Sequence, residues 1–314
     1  MCFEALKDKP RGVILSTDIG PDCDDAGAIA LLHEYSKIYG FPLLGMINCT
    51  TNPNGTKTLY ALNEFVGRGD IPLGQWMGEP LFETAETSHY TAEIAARFGR
   101  GAPAPDESTR LYRRLLTKAE DDSVVIVTIG MFTDLSALLA SGPDDISELS
   151  GAELIKKKVA YTVSMATNNM NREFNIRYAP DAARHVLENM PCDIYLSDFW
   201  VGKSVNTGFD PTADKKSNPY YEAYRLYPYN APLQNASFDL TAVQFAVLGT
   251  GELYRLGARG NLRFFESEKS PAGVCDATEF LPNDAGNKIL IAKNCTDEVI
   301  ARSINEILSR ILDY

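Results

Sequence analysis

Two kinds of hydrophobic run alternate along this chain. Short stretches that are apolar almost throughout read as buried strands over 12–15, 43–49, 124–129, 159–165, 194–197 and 288–292. Between several of them the apolar positions recur at helical spacing, predicting helices over 26–35, 58–66, 108–118, 134–140, 181–189 and 240–248. A last helix is predicted over 297–312, where Ile300, Ile304, Ile307 and Ile311 form a single stripe. Strands alternating with helices predict an α/β fold, with a mostly parallel central sheet flanked by helices on both faces. The pattern shows no internal repeat and no clear linker, so residues 1–314 are expected to form one domain. The segments 99–105 and 208–219 are rich in glycine, proline and polar residues, and are expected to be long surface loops over a site.

Composition narrows the function classes. Hydrophobic residues make up 45% of the 314, ample for a core without disulfide or metal staples. The formal charge of −12 argues against nucleic acid or an anionic membrane as a partner. No apolar run approaches the roughly 20 residues of a membrane span. The first ten residues lack an apolar signal core, so a soluble protein is expected, cytoplasmic or exported if a signal has been removed. Cysteines 2, 23, 49, 192, 275 and 295 form no close pair, which disfavours a zinc site, a redox motif or a disulfide framework. Homo-oligomer formation is compatible with all of this.

The densest chemistry lies between the first strand and the first helix. The segment Ser16-Thr17-Asp18-Ile19-Gly20-Pro21-Asp22-Cys23-Asp24-Asp25 carries four carboxylates in eight residues. It falls at the carboxyl end of a strand, where open α/β sheets place their ligands. Carboxylates this close repel one another and raise one another's pKa unless a cation neutralises them. All-oxygen clusters select hard divalent ions such as Ca²⁺ or Mg²⁺. A solvated acidic turn, with one aspartate capping the helix, is the alternative.

This segment resembles the N-terminal signature of the inosine-uridine-preferring nucleoside hydrolases, Asp-x-Asp-Pro-Gly-x-Asp-Asp after a first strand. Here Ser16 replaces the first aspartate and Ile19 the proline, and two extra residues precede the Asp24-Asp25 pair. Aligning that pair with the family's places Asp22 in the insertion. The resemblance continues, in order, through most of the chain. Val127-Thr128-Ile129-Gly130-Met131-Phe132-Thr133-Asp134 is similar to the family's Pro-Thr-Gly-Gly-Leu-Thr-Asn, and Glu173-Phe174-Asn175 to its sugar-binding element. Asp239, in Ser237-Phe238-Asp239-Leu240, matches a late metal-binding aspartate at a helix start.

The resemblance implies a Rossmann-like nucleoside hydrolase fold and a calcium-dependent hydrolysis of N-glycosidic bonds, in ribonucleosides or related N-ribosyl compounds. Ca²⁺ would be held by Asp18, Asp25, Asp239 and the Ile129 carbonyl, and Asp18 would be the general base. Asp24 would hold the 2′-hydroxyl, with Glu173 and Asn175 on the ribose. Asn168 or Asn169 would match a further family asparagine, and Asn54 another after the second strand. Many purine-handling members of the family have a leaving-group histidine just before the late metal aspartate, and here that place is Phe238. His89 lies where a loop histidine approaches the site, and Tyr220 and Tyr224 resemble an aromatic pair lining the base pocket. His33 and His185 are expected to be structural or solvated. The implied partner is a small nucleoside or sugar. A carbohydrate-binding or carbohydrate-processing protein that reuses the metal site on another glycoside is the rival reading.

Overall fold

The computed structural model describes residues 3–81, 88–229 and 231–314. Ten strands form one sheet in the order β11-β10-β12-β7-β6-β5-β1-β2-β3-β4. They are β1 (Gly12–Thr17), β2 (Leu43–Asn48), β3 (Leu73–Gln75), β4 (Asp106–Glu107), β5 (Val124–Thr128), β6 (Val159–Met165) and β7 (Asp193–Ser197), with β10 (Tyr254–Phe265), β11 (Ala277–Pro282) and β12 (Lys288–Lys293). Two short strands, β8 (Asn206–Gly208) and β9 (Gln234–Ala236), pair antiparallel by themselves. From β12 to β4 every neighbouring pair is parallel, and β10 runs antiparallel to both β12 and β11. All six expected strands are present, and the mostly parallel sheet is as expected.

Alternate residues of the central strands feed opposite cores. Val13, Leu15, Val125 and Val127 join one apolar cluster, and Ile14, Val124 and Ile126 join the other. The helices Asp24–Tyr39, Gly55–Phe65, Phe238–Leu248 and Asp297–Leu308 cover the first face. Ser108–Lys118, Thr133–Ala140, Gly151–Lys158 and Pro180–Asn189 cover the second. Burial on both faces is why the strands are apolar throughout rather than alternating. The last expected helix ends as an α-helix at Leu308 and continues as a 3₁₀ turn over Ser309–Asp313. Among the described residues no helix is long and apolar enough to cross a membrane.

Strand order reverses at β1. The chain moves outward one way through β2, β3 and β4, then returns to lay β5, β6 and β7 on the other side. A crevice opens at such a switch point beyond the carboxyl ends of the strands, and the acidic turn follows β1 directly into it.

The two loop-rich segments are placed differently from expectation. Residues 102–105 line a separate surface groove with Trp76 and Met77. The segment 208–219 packs through Phe209 on Tyr224 and ends in Asn218, which caps the helix Pro219–Leu226. Neither contributes a wall to the crevice.

Candidate active site

The turn after β1 is shaped by backbone demands. Gly20 has φ 141°, a conformation open chiefly to glycine, and it lets the chain double back before the helix Asp24–Tyr39. The Thr17 hydroxyl donates to Asp25 Oδ1 and accepts from the Ile19 N–H, at 3.2 Å. The second acidic turn meets the first where the Asp239 N–H donates to Asp24 Oδ2, at 3.0 Å. At the end of β5, a Cβ on Gly130 would stand 2.5 Å from the Asp18 nitrogen, so only glycine fits between the two strand ends.

These turns bring one carboxylate oxygen each from Asp22, Asp24, Asp25 and Asp239 within 4.8 Å of one another. Asp18 lies outside that group of four but lines the same cavity, of about 340 Å³. Burial first, and then its neighbours' charge, holds each of Asp18, Asp24, Asp25 and Asp239 well above the ordinary carboxylate range. Four converging and largely buried carboxylates fit a hard divalent ion, which would neutralise their mutual repulsion. Matching the Asp24-Asp25 pair to the family signature sets Asp22 apart in an insertion, yet the turn folds it back onto Asp24 and Asp25.

The opposite wall comes from the loop after β6. Glu173 caps the short helix Phe174–Arg177, accepting from the N–H groups of Asn175 (3.1 Å) and Ile176 (3.3 Å). Burial pushes its carboxyl up to about 7. Asn175 Nδ2 donates to the carbonyls of Ile129 (3.2 Å) and Met165 (3.1 Å), fastening the ends of β5 and β6 together. The Ile129 carbonyl thus reaches the cavity already sharing one hydrogen bond. Asn168, rather than Asn169, lines the cavity, and its buried Oδ1 has no partner. An orphaned acceptor beside a cavity marks a place where a ligand donor belongs.

Four expected contributors stand elsewhere. Asn54 precedes the helix Gly55–Phe65, with its N–H on Asn52 Oδ1, and lines no part of the cavity. Tyr224 is buried behind the acidic turn on Phe209, its hydroxyl unpartnered. Tyr227, just past the end of that helix, is the tyrosine that lines the cavity. His89 stands one ring back, 5.7 Å from the Tyr227 ring and 5.1 Å from that of Tyr229. Phe238 does line the cavity, stacked on Phe199 at 5.2 Å. Tyr220 is fully buried, its hydroxyl on the Leu62 carbonyl. Phe199, Tyr227, Arg172 and Arg177 were missed by sequence reasoning, though Arg172 and Arg177 flank the Glu-Phe-Asn element within three residues.

His33 and His185 are structural. His33 is buried against Asn63, and burial lowers it to about 4, while His185 pairs with Ser136. The five described cysteines are free, and burial pushes the Cys23 thiol up, away from the reactive thiolate.

Residues 13–245 match the family described as inosine-uridine preferring nucleoside hydrolase. No curated protein matches the chain. Among solved structures, it is similar to a plant nucleoside hydrolase (PpNRh1) at 20% identity and TM-score 0.66, covering 96% of this chain and 99% of that one. An inosine-guanosine nucleoside hydrolase matches at 17% identity and TM-score 0.70, with 97% and 99% covered. A purine-preferring ribonucleoside hydrolase from Gardnerella vaginalis matches at 17% and 0.69, with 96% and 98% covered.

Proposed function

Since the chain belongs to the inosine-uridine preferring nucleoside hydrolase family and is thereby an N-glycosidase of the ribonucleoside hydrolase type, we propose that it hydrolyses ribonucleosides or related N-ribosyl compounds with Ca²⁺ as its cofactor. The observation that carries this reading is the meeting of four carboxylates within 4.8 Å in a cavity that also holds Asp18, Asn168, Glu173 and Asn175. Asp22, Asp24, Asp25 and Asp239 are the candidate holders of the ion, with Asp18 and the Ile129 carbonyl beside them. When bound, a divalent cation supplies charge neutralisation and a more acidic water.

The remaining chemistry belongs to the side chains. Glu173 and Asn175 hold vicinal ribose hydroxyls, since each can engage two polar atoms of a sugar. Asp24 takes the 2′-hydroxyl. Asp18, buried and raised, accepts the proton of the attacking water. As the glycosidic bond breaks, positive charge grows on the sugar, and the surrounding carboxylates stabilise it in a site shielded from solvent. The departing base is seated among Phe199, Tyr227 and Phe238. None of these is a strong acid, so this enzyme favours bases that leave without full protonation.

A panel of nucleosides assayed for free ribose, with calcium and with chelator, tests the reading. Calcium-dependent ribose release is the expected result. Calcium-dependent binding of a free sugar with no nucleoside cleaved overturns it in favour of a carbohydrate-binding protein, the reading that Phe238 in place of an acid otherwise favours.

A further inference from the structure

The loop between β6 and the helix Phe174–Arg177 carries Asn168 and Glu173 to the cavity along a strained path. Thr167 has φ 79° and Met170 φ 66°, left-handed conformations that side chains disfavour, β-branched ones most of all. Such a path persists only where its surroundings impose it. The restraint comes from β10, β11 and the segment joining them, at the edge of the sheet and beyond the matched residues 13–245. The Met170 N–H donates to the Thr278 carbonyl at 2.7 Å, and Arg172 pairs antiparallel with Ala277. The Arg172 guanidinium reaches the fully buried Asp276 at 2.7 Å and the Lys269 carbonyl at 2.9 Å. The other Asp276 oxygen accepts from the Ser270 hydroxyl, so both oxygens are engaged.

These contacts converge on the residues that face a ligand. The Arg172 carbonyl accepts from Asn168 Nδ2 at 3.4 Å, which leaves the buried, unpartnered Asn168 Oδ1 as the atom free to take a ligand hydroxyl. Glu173 follows Arg172 directly in the chain. We propose that Asp276 is a positioning residue for substrate binding: it pins Arg172, and through Arg172 it sets the orientation of Asn168 and the entry of Glu173. The proposal rests on the ribose-site reading of the cavity. Charge makes the restraint selective, because Asp276 and Arg172 each become an uncompensated, largely buried ion if they part. The strained loop therefore has no comparable second resting place. Asparagine at 276 would keep the shape of the side chain and remove that hold.

Titration calorimetry of D-ribose into the calcium-saturated protein, and of calcium into the chelator-stripped protein, tests it. Asp276→Asn is expected to weaken ribose binding on the order of tenfold, within what a small misplacement of binding groups costs. Calcium affinity, set by the acidic turns on the opposite wall, is expected to stay within about twofold, the scatter of independent sites. With nitrophenyl riboside the change appears in KM more than in kcat. In an Asn168→Ala protein, adding Asp276→Asn costs less than about twofold more, because the two act on one contact. Unchanged ribose affinity in Asp276→Asn overturns the proposal, as does an equal loss of calcium and ribose binding, or a full additive loss in the Asn168→Ala background. Should Asp276→Asn yield no folded protein, Ser270→Ala, which keeps the ion pair and loosens only Asp276, is expected to show the same pattern at smaller size, and unchanged ribose affinity there overturns the proposal. Wild-type protein that binds no D-ribose overturns the ribose reading and the proposal together, whereas wild-type binding that the variants leave intact overturns the proposal alone.

Discussion

The Ser16 hydroxyl donates to Asp134 Oδ2 at 2.7 Å, tying β1 to the helix Thr133–Ala140 directly beneath the acidic turn. The Tyr112 hydroxyl donates to the same oxygen at 3.0 Å, and Asp134 is fully buried. Ser16 stands where the family signature has aspartate, and Asp134 where the family stretch ends in asparagine. Ser16→Ala removes one of its donors and is expected to cost about 1–3 kcal/mol in urea unfolding.

Burial lifts Asp134 from an ordinary 3.8 to about 6. The folded protein therefore keeps this proton to a higher pH than the unfolded chain does. Its contribution to stability is full below about pH 4 and is lost as pH rises through about 6. Wild-type protein should lose stability relative to Asp134→Asn across that window, as read by urea unfolding at pH 4, 5, 6 and 7. A constant difference between the two would show that Asp134 titrates normally.

The same sign governs the acidic cluster. Asp18, Asp24, Asp25 and Asp239 are all held upward, so without a cation the fold is increasingly penalised as pH rises and these groups ionise. Calcium should raise the melting temperature by an amount that grows between pH 5 and pH 8. Asp25→Asn and Asp239→Asn should each blunt that increment, measured by scanning calorimetry with calcium and with chelator.

Asp18→Asn keeps the shape of the side chain and removes its basicity. Hydrolysis should fall by roughly 10²–10⁴-fold or more, the usual contribution of a positioned base. The circular dichroism spectrum should not change. A variant that stayed within a few-fold of wild type would assign the base to another carboxylate.

Phe238 lines the cavity at the position where the family resemblance implies a leaving-group acid. Wild-type protein should therefore cleave nitrophenyl riboside more readily than inosine, and Phe238→His should narrow that gap by raising the inosine rate. Equal wild-type rates on the two compounds would show that a donor other than residue 238 serves the base.

Much of the fold was legible because the central strands are apolar on both sides, a pattern few other structures produce. What escaped was built from weaker local signals. The strand β10 mixes exposed and half-buried positions and contains Gly257 and Gly260, so no period stands out. The strands β3 and β4 have three and two residues, below the reach of any periodicity. The helix Pro219–Leu226 was hidden in a loop-like composition, although Asn218 followed by proline is a helix start.

Where motif and turn coincide, at Asp18, Asp24, Asp25, Glu173, Asn175 and Asp239, the residues named from the sequence line one cavity. The site was misread where side-chain direction decides. Tyr220 and Tyr224 are four apart on one helix, a spacing that marks the face packed inward, and both are buried. Tyr227 escapes that packing because the helix has ended. Asp22 could be recovered only from the path of the turn, which spacing does not record.

Both amide hydrogens of Asn175 are taken by the carbonyls of Ile129 and Met165, so its side chain offers the cavity an acceptor and nothing else. Any ligand atom that docks there must bring its own hydrogen. The rivet that fastens two strand ends is thus also a one-way filter. A hydroxyl satisfies it, whereas a ring hydrogen, an ether oxygen or a ketone leaves it facing nothing or facing another lone pair. With Asn175 on a ribose hydroxyl, as proposed above, discrimination between ribose and its deoxy analogues would be built into the sheet itself.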